Sequence, residues 1–495
     1  MFFLAHQALL LTAALALAPA CTRVEAPRNS PEAAAVYATA EAVVIPADEQ
    51  TDDALAVTRR MDGANRSADG ALPQMPAQEH MRRAGIYHAN RAFDEARAHW
   101  RAIIERHPED SNVPAAHFGI GRSLFQERRY EEALPVFENL GNSYIQTPAG
   151  RDGFYYVAAT LLRLDRPAEA AARYAEYAER FPNGERIENA LLNVIDSLRE
   201  AGKPDEALPW IERTRERFRG KPADASALFA RLRLEVARGD WQAALRSGDE
   251  MSRVRLTRDV NTTAPEIAYL RAYSLERLGR TDEALKAYQS IADSLGSYYG
   301  GRATERMRKL GAAGKASAAQ REARVRGEVQ RAAGDYPASF REVILRSVAG
   351  RGVDARLVLA IMRQESGFNT RAKSPAAARG LLQLTPEIAA KYAPQVKIPA
   401  PREEDLYRPE VNVLLASAYL AELGRMFPGL PEAVAASYNG GEDNVVRWVR
   451  RAVHDDPGVF TSEVGFTESK DYVNKVMANF RAYKMLYTED LKPRR

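Results

Sequence analysis

A repeated pattern of one small and one bulky apolar position runs along the chain from residue 81. The fragments FDEAR, YEEAL, PAEAA, PDEAL, WQAAL and TDEAL place alanines at Ala96, Ala133, Ala170, Ala207, Ala244 and Ala284. The first five alanines lie 37 residues apart and the last two lie 40 apart. A bulky side chain follows most of them by four residues, about one helical turn, although Gly248 takes that place in the fifth fragment. Such pairs let two helices approach closely while the bulky residue fills the gap, so the pattern predicts helix pairs.

This repeat resembles a tetratricopeptide array with units slightly longer than the usual 34 residues. Units of this kind cannot bury their apolar faces alone and stack into a curved solenoid. Prolines such as Pro108 and Pro182 are placed to stop the second helix of a pair. We therefore expect an all-α fold with a helical-repeat superhelix over residues 81–300. Two roles for the superhelix stay open: support for the rest of the chain, or binding of a partner protein or polymer strand.

The last third of the chain changes to amphipathic helices whose ends carry polar groups. Residues 301–335 predict a basic helical connector with a solvated face, and residues 336–495 predict a separate domain. In VDARLVLAIMRQESGFN, Asp354 suits an N-cap and Gly367 suits a left-handed helix stop. Further helices are predicted after Thr385-Pro386, around SYNGG at 437–441, and over ESKDYVNKV at 468–476.

Glu365 falls in the last predicted turn of the first of these helices. A carboxyl held at the edge of a cleft with apolar walls loses water on one side, and this raises its pKa. A raised pKa is what a general acid acting on a glycosidic oxygen needs at neutral pH. Alone, this glutamate would be read as an ordinary surface residue.

Two further motifs favour the catalytic interpretation. Gln383 is a neutral polar group in the otherwise apolar stretch RGLLQLTP, just ahead of a helix. Tyr438 and Asn439 stand at a glycine stop, where an aromatic face and an amide can project into a groove. Sugars commonly require both kinds of group, so these stretches predict one sugar-binding cleft.

The N-terminal segment predicts export. Residues 1–21 combine a short apolar run with Ala18-Pro19-Ala20, as at a signal-peptide cleavage site. Cys21, the single cysteine, is either a chance residue or the lipid-modified first residue of a lipoprotein, which would add an outer-membrane anchor. Residues 22–80 lack a sustained period and are expected to be a flexible linker. Either interpretation of Cys21 leads to the periplasm.

Composition narrows the classes of function. With 495 residues the chain is too long for a single core, and 45 % hydrophobic and 27 % charged residues describe a globular protein. A formal charge of +4 does not indicate nucleic-acid binding. The histidines, including His88, His99, His107 and His117, lack the spacing of a metal face, so neither metal nor cofactor is predicted.

Together the motifs resemble the catalytic domain of the bacterial soluble lytic transglycosylases over residues 340–490. They are ESGF at 365–368, GLLQLTP at 380–386, SYNGG at 437–441 and ESKDYVNKV at 468–476. The resemblance implies a lysozyme-like fold behind a superhelical N-terminal domain. Small residues differ from the family's pattern at Ala377, Ala416 and Ser469, which bears on loop shape more than on chemistry.

The resemblance also implies a reaction on peptidoglycan glycan strands. The β-1,4 bond between N-acetylmuramic acid and N-acetylglucosamine would be cleaved without water to leave a 1,6-anhydromuramoyl end. Glu365 would be the catalytic residue. The substrate-binding residues implied are Ser366, Gln383, Tyr438 and Asn439, with Glu468 and Tyr472 as supports at the cleft. The alternatives are a lysozyme-type hydrolase with Glu442 or another acid activating water, and a non-catalytic scaffold that binds cell-wall strands or cell-wall proteins.

Overall fold

The computed structural model describes residues 50–68 and 70–494, and every regular element within those residues is helical. Only isolated β-bridges, such as Lys373 with Arg379, interrupt this pattern there. The expected all-α fold is therefore confirmed. The proposed signal segment 1–21 and Cys21 lie outside the described residues. Among the described residues no helix has the length and apolar character to span a bilayer.

Fifteen helices precede the C-terminal domain in the described part of the chain, and most form antiparallel pairs joined by short turns. They are α1 (Asp52–Asn65), α2 (Ala77–Ala89), α3 (Phe93–Arg106), α4 (Val113–Gln126), α5 (Tyr130–Ser143), α6 (Pro148–Arg163), α7 (Pro167–Arg180), α8 (Ile187–Glu200), α9 (Pro204–Arg217), α10 (Pro222–Arg238), α11 (Trp241–Met251), α12 (Ala264–Arg277), α13 (Thr281–Ser290), α14 (Tyr298–Met307) and α15 (Gly311–Arg331).

The small and bulky positions of the repeat pack as the sequence predicts. All six alanines are fully buried, and the bulky residues one turn later are at most 5 % exposed. Two glycines of α4 make room for bulky residues of the helices on either side of it in sequence: a side chain at Gly119 would overlap Trp100 of α3, and one at Gly121 would overlap Phe137 of α5. At the exceptional Gly248 the aliphatic part of Arg271 takes the space. The small and bulky positions of the repeat thus determine how consecutive helices pack against each other.

The C-terminal domain is built from eight further α-helices. They are α16 (Arg341–Val348), α17 (Ala355–Ser366), α18 (Pro386–Tyr392), α19 (Pro409–Met426), α20 (Pro431–Gly440), α21 (Glu442–Ala452), α22 (Pro457–Glu463) and α23 (Thr467–Leu486). Helix α17 packs against α23 across the middle of the domain, and α20 packs against α23 beside it. The hydrophobic core of the domain runs without a break into the last repeats, from Leu245 to Leu491.

Polar contacts join the repeats to the C-terminal domain along most of the superhelix. Arg199 of α8 donates to Glu463, and Tyr269 of α12 donates to Asp456 at 2.9 Å. The buried ion pair between Arg199 and Glu463 is costly to break, because the remaining charge would lose both water and its partner. The two regions therefore form one continuous structure in which repeat side chains reach the C-terminal domain.

Two expectations from the sequence are wrong in the described residues. Residues 52–65, assigned to the flexible linker 22–80, form helix α1, which Thr51 caps and whose Asp62 is buried. Helix α2 also begins at Ala77, ahead of the predicted start at 81. Helix α1 is held largely by polar contacts, which give no hydrophobic period, and this is why the pattern did not reveal it.

The basic stretch before the C-terminal domain is helical but not simply a solvated face. Arg321 donates to the carbonyls of Tyr288 and Ile291, at the end of helix α13, and Arg306 pairs with Glu276. Other basic residues there are exposed, as expected: Lys309, Lys315, Arg326 and Arg331. Part of the positive charge therefore caps carbonyls inside the molecule.

The contact between Gly119 and Trp100 gives a stability test. Gly119→Ala places a methyl group into the indole ring, and overpacking of this kind costs about 1–3 kcal/mol. Gly424→Ala is the matched control, because Gly424 is exposed within α19 and an added methyl group would meet no neighbouring atom there. The control should be neutral or stabilising by about 0.5–1 kcal/mol through helix propensity. Urea unfolding of both variants checks this, and equal stabilities would contradict this packing.

Candidate active site

Glu365 lies in the last turn of α17, where the helix is stopped by its next residues. Gly367 has φ of +56° and donates its amide to the carbonyl of Arg363, as in a left-handed helix cap. The stop leaves the Glu365 side chain at the end of a helix whose other face is buried in the core. The carboxyl is half-buried, and the phenol of Tyr472, on α23, donates to its Oε1 at 2.7 Å.

Burial dominates the electrostatics of this carboxyl. Burial raises the pKa of Glu365, the hydrogen bond from Tyr472 opposes that rise, and the nearby charge of Glu468 adds to it; the result is a pKa of about 7. Tyr472 itself is 5 % exposed, and Tyr438 lies close enough to feel the charge of Glu365. The arrangement can hold a proton near neutral pH and release it to an adjacent group.

A loop formed by residues 372–384, called here the cleft loop, carries Gln383. Arg379 forms bridges with both Lys373 and Leu384, which folds the loop back on itself. The Gln383 amide donates to the carbonyls of Ala372 and Gly380 at 3.0 and 2.8 Å. Gln383 has φ of +44°, a region that L-residues rarely adopt, so these bonds help to fix its backbone.

Two other predicted residues bind the same loop. The hydroxyl of Ser366 donates to the carbonyl of Leu381 at 2.8 Å and accepts the amide of Phe368 at 3.1 Å. The phenol of Tyr438, on α20, donates to the carbonyl of Leu382 at 2.7 Å. Ser366, Gln383 and Tyr438 are thus brought together through loop carbonyls.

Asn439 and Glu468 meet where α20 ends and α23 begins. Ser469 donates to the Asn439 side-chain oxygen at 2.6 Å, and the exposed Asn439 also hydrogen-bonds Glu468. Burial raises the pKa of Glu468, while that bond and the charge of Lys475 oppose the rise. Gly440 must lack a side chain, because one would stand 2.7 Å from the Ser469 hydroxyl.

The sequence reasoning missed two residues that hold the site. The side chain of Asn412, fully buried in α19, accepts a hydrogen bond from the Leu382 amide at 2.8 Å. Its own amide group donates to the carbonyls of Arg379 and Leu406. Tyr419 packs on the ring of Tyr438 with 5.3 Å between centroids. An asparagine inside the apolar run EVNVLLASAYL was the available signal for the first. Nothing in the pattern distinguished Tyr419 from an ordinary core aromatic.

Glu442, the alternative water-activating residue, is held by the repeats. Arg128, in the turn between α4 and α5, donates Nη2 to Oε2 of Glu442 at 2.9 Å, and Tyr419 donates to the same oxygen at 3.2 Å. A second bond from Arg128 reaches Oε1. Burial would raise the pKa of Glu442, but the hydrogen bonds and charge of Arg128 outweigh it and lower that pKa. Both oxygens are engaged, which counts against a role as a base for water.

Residue Ala377, where the resembling family has glycine, adopts φ of +58° and is fully buried. Positive φ costs an alanine roughly 1–2 kcal/mol. The change therefore keeps the loop conformation at the expense of some strain. Ala416 and Ser469 are accommodated in the buried interior.

Comparison with known proteins identifies the class of this domain. Residues 342–458 match the family model described as Transglycosylase SLT domain. Residues 86–143, 195–251 and 266–294 match models described as Tetratricopeptide repeat. The C-terminal region is therefore similar to this family, and it follows helices that are similar to tetratricopeptide repeats.

Several named proteins are similar over the C-terminal region. The soluble lytic murein transglycosylase of Salmonella typhimurium is 30 % identical over 151 residues, covering 30 % of this chain and 23 % of that protein. The membrane-bound lytic murein transglycosylase C of Salmonella arizonae is 34 % identical over 154 residues, covering 27 % of this chain and 43 % of that protein. The chain thus spans about a quarter of the length of the soluble relative.

A solved structure, that of the lytic transglycosylase Slt from Pseudomonas aeruginosa, aligns over 88 % of this chain and 75 % of its own. The sequences are 20 % identical there, with a TM-score of 0.48.

The raised pKa of Glu365 predicts a pH-dependent stability effect. A carboxyl with a pKa of about 7 when folded and an ordinary value near 4.5 when unfolded destabilises the fold above the unfolded value, fully so above pH 7. Glu365→Gln removes that cost and should raise the free energy of unfolding at pH 8 by about 1–3 kcal/mol, with little change at pH 4. Urea unfolding at both pH values measures this. The control Glu342→Gln, at a carboxylate 82 % exposed, should change little at either pH.

Proposed function

We propose that this protein is a peptidoglycan lytic transglycosylase. The observation that carries the proposal is the Glu365 carboxyl, which burial beside Tyr472 keeps protonated near neutral pH within an SLT domain. A proton donor with a pKa close to the working pH is efficient in general acid catalysis. The names of the similar proteins supply the substrate class, murein.

In the proposed reaction Glu365 gives its proton to the glycosidic oxygen as the bond from C1 of N-acetylmuramic acid breaks. The Glu365 carboxylate then takes the proton of the substrate's C6 hydroxyl, whose oxygen closes onto C1. The products are a free 4-hydroxyl on N-acetylglucosamine and a 1,6-anhydromuramoyl end, and Glu365 recovers its proton. The positive charge at C1 is met by the substrate's acetamido group, as in substrate-assisted glycosidases.

The remaining residues position the sugar in this proposal. The Gln383 side-chain oxygen and the exposed Asn439 amide supply polar contacts in this proposal. The half-buried Tyr438 supplies an aromatic face, and the buried rings of Tyr419 and Tyr392 support it from behind, with successive ring centroids 5.3 and 5.2 Å apart. Ser366 helps to fix the cleft loop through its hydrogen bond to the carbonyl of Leu381. Tyr472 and Glu468 act on the pKa of Glu365.

A muramidase that adds water needs a second carboxylate or another group to activate it. Glu442 is bound on both oxygens by Arg128 and Tyr419, which disfavours it for that role. A non-catalytic scaffold is disfavoured by the same proton-holding Glu365. The proposal also places the protein in the periplasm, with cell-wall strands bound along the repeats. A lipid on Cys21 and partner proteins at the repeats are further parts of the proposal, and they rest on the sequence.

Mass spectrometry of muropeptides released from purified sacculi tests the function directly. The full chain should release products lighter by one water than hydrolysis products. Glu365→Gln should reduce their formation by about 10³-fold or more, because the proton donor and acceptor are both lost. Glu442→Gln is the matched control and should still give anhydro products.

Reducing-end products from the unchanged protein would overturn the proposal in favour of a hydrolase. Anhydro products from Glu365→Gln at the unchanged rate would remove Glu365 from the mechanism. Loss of anhydro products in Glu442→Gln, with reducing ends in their place, would assign product choice to that second carboxylate.

A further inference from the structure

Helix α1 connects the first repeat to the cleft loop. Near its C-terminal end, Asp62 accepts hydrogen bonds from Tyr87 at 2.6 Å and His99 at 3.0 Å, and it also pairs with Arg83. At its N-terminal end, Asp52 contacts the C-terminal domain. In between, Arg59 contacts both Glu95 of α3 and Glu403 at 3.1 Å. A helix fixed at both ends behaves as a short rigid rod.

Asp52 is the carboxylate that compensates the charges of the cleft loop. Its Oδ1 accepts from Arg379 at 2.6 Å and from Lys373 at 3.0 Å, and its Oδ2 accepts from Tyr407 at 2.7 Å. The Arg379 side chain is fully buried and that of Lys373 is 18 % exposed. A buried guanidinium without its carboxylate is strongly unfavourable, so this contact controls whether the loop can keep its folded form.

The residues that carry these two cations also take part in the backbone pairing of the cleft loop. Arg379 and Lys373 bridge to each other, and Arg379 bridges to Leu384 immediately after Gln383. The loop carbonyls between Arg379 and Leu384 hold Ser366 and Tyr438. A shift of Arg379 would therefore be passed to Gln383 and to both of these side chains.

From this geometry we propose that Asp52 is a positioning residue for the cleft loop and that α1 is a functional part of the active site. The effect on catalysis rests on the proposed function, whereas the effect on loop order does not. Asp52 touches neither the substrate nor Glu365; it acts by fixing Arg379 and Lys373. The segment ahead of the repeats thus completes the site from outside the SLT domain.

Two measurements on the full chain test this: hydrogen exchange of the backbone amides in 372–384, and steady-state turnover of sacculi-derived glycan strands. In Asp52→Asn the loop amides should exchange about tenfold faster, since the variant leaves Arg379 without a charged partner. The turnover constant should fall about 10- to 100-fold, the scale expected when a binding group is misplaced by about 1 Å. Asp52→Glu should recover part of both effects.

The matched controls separate positioning from general stability. Asp152→Asn breaks a buried ion pair with Arg186 inside the repeats, where both side chains are at most 5 % exposed, and should lower the melting temperature while leaving loop exchange and turnover unchanged. Asp53→Asn, at the exposed neighbour of Asp52, should change nothing. Assays run well below the lowest melting temperature keep every variant folded.

Unchanged loop exchange in Asp52→Asn would overturn the proposal. So would equal losses of turnover in Asp52→Asn and Asp152→Asn, because the contact would then act only on stability. If the unchanged protein fails to turn over glycan strands, the proposed function fails, and the exchange data alone still decide whether Asp52 fixes the loop.

Discussion

The cleft loop can exist only because its polar groups are satisfied from several directions. Its carbonyls accept from Ser366 and Tyr438, its Leu382 amide is accepted by Asn412, and its buried Arg379 is paired with Asp52. Those partners come from α17, α20, α19 and α1. Buried polar groups are unfavourable when they are unpaired. The hydrogen bonds of the loop therefore fix the positions of these four helices as well as that of the loop itself.

The Glu365 carboxyl differs from these loop groups, because its properties depend on having few polar partners. The pKa of this carboxyl is raised because burial removes part of its hydration, and among the described residues its one side-chain donor is the neutral phenol of Tyr472. Nearby, Glu442 receives a cation and stays ionised. The two carboxyl groups have different properties because Arg128 reaches one and no arginine or lysine is paired with the other among the described residues.

The tetratricopeptide-type repeats are part of this electrostatic arrangement. Arg128 binds Glu442, Arg199 binds Glu463, and α1 brings Asp52 to the cleft loop. The domain core also continues into the last repeats. A superhelix that only presented a binding surface would need none of these ion pairs. The repeats and the C-terminal domain therefore form a single structure around the site.

The sequence by itself determined the helical class, the small-and-bulky packing of the repeats and the helix stop after Glu365. These features are local, because each depends on spacings within one or two turns of helix. Only the tertiary structure decided the pairing of Glu442 with Arg128, the role of Asn412 and the ordering of α1. Those depend on charges and amides brought together from distant parts of the chain, and such contacts leave no period in the sequence.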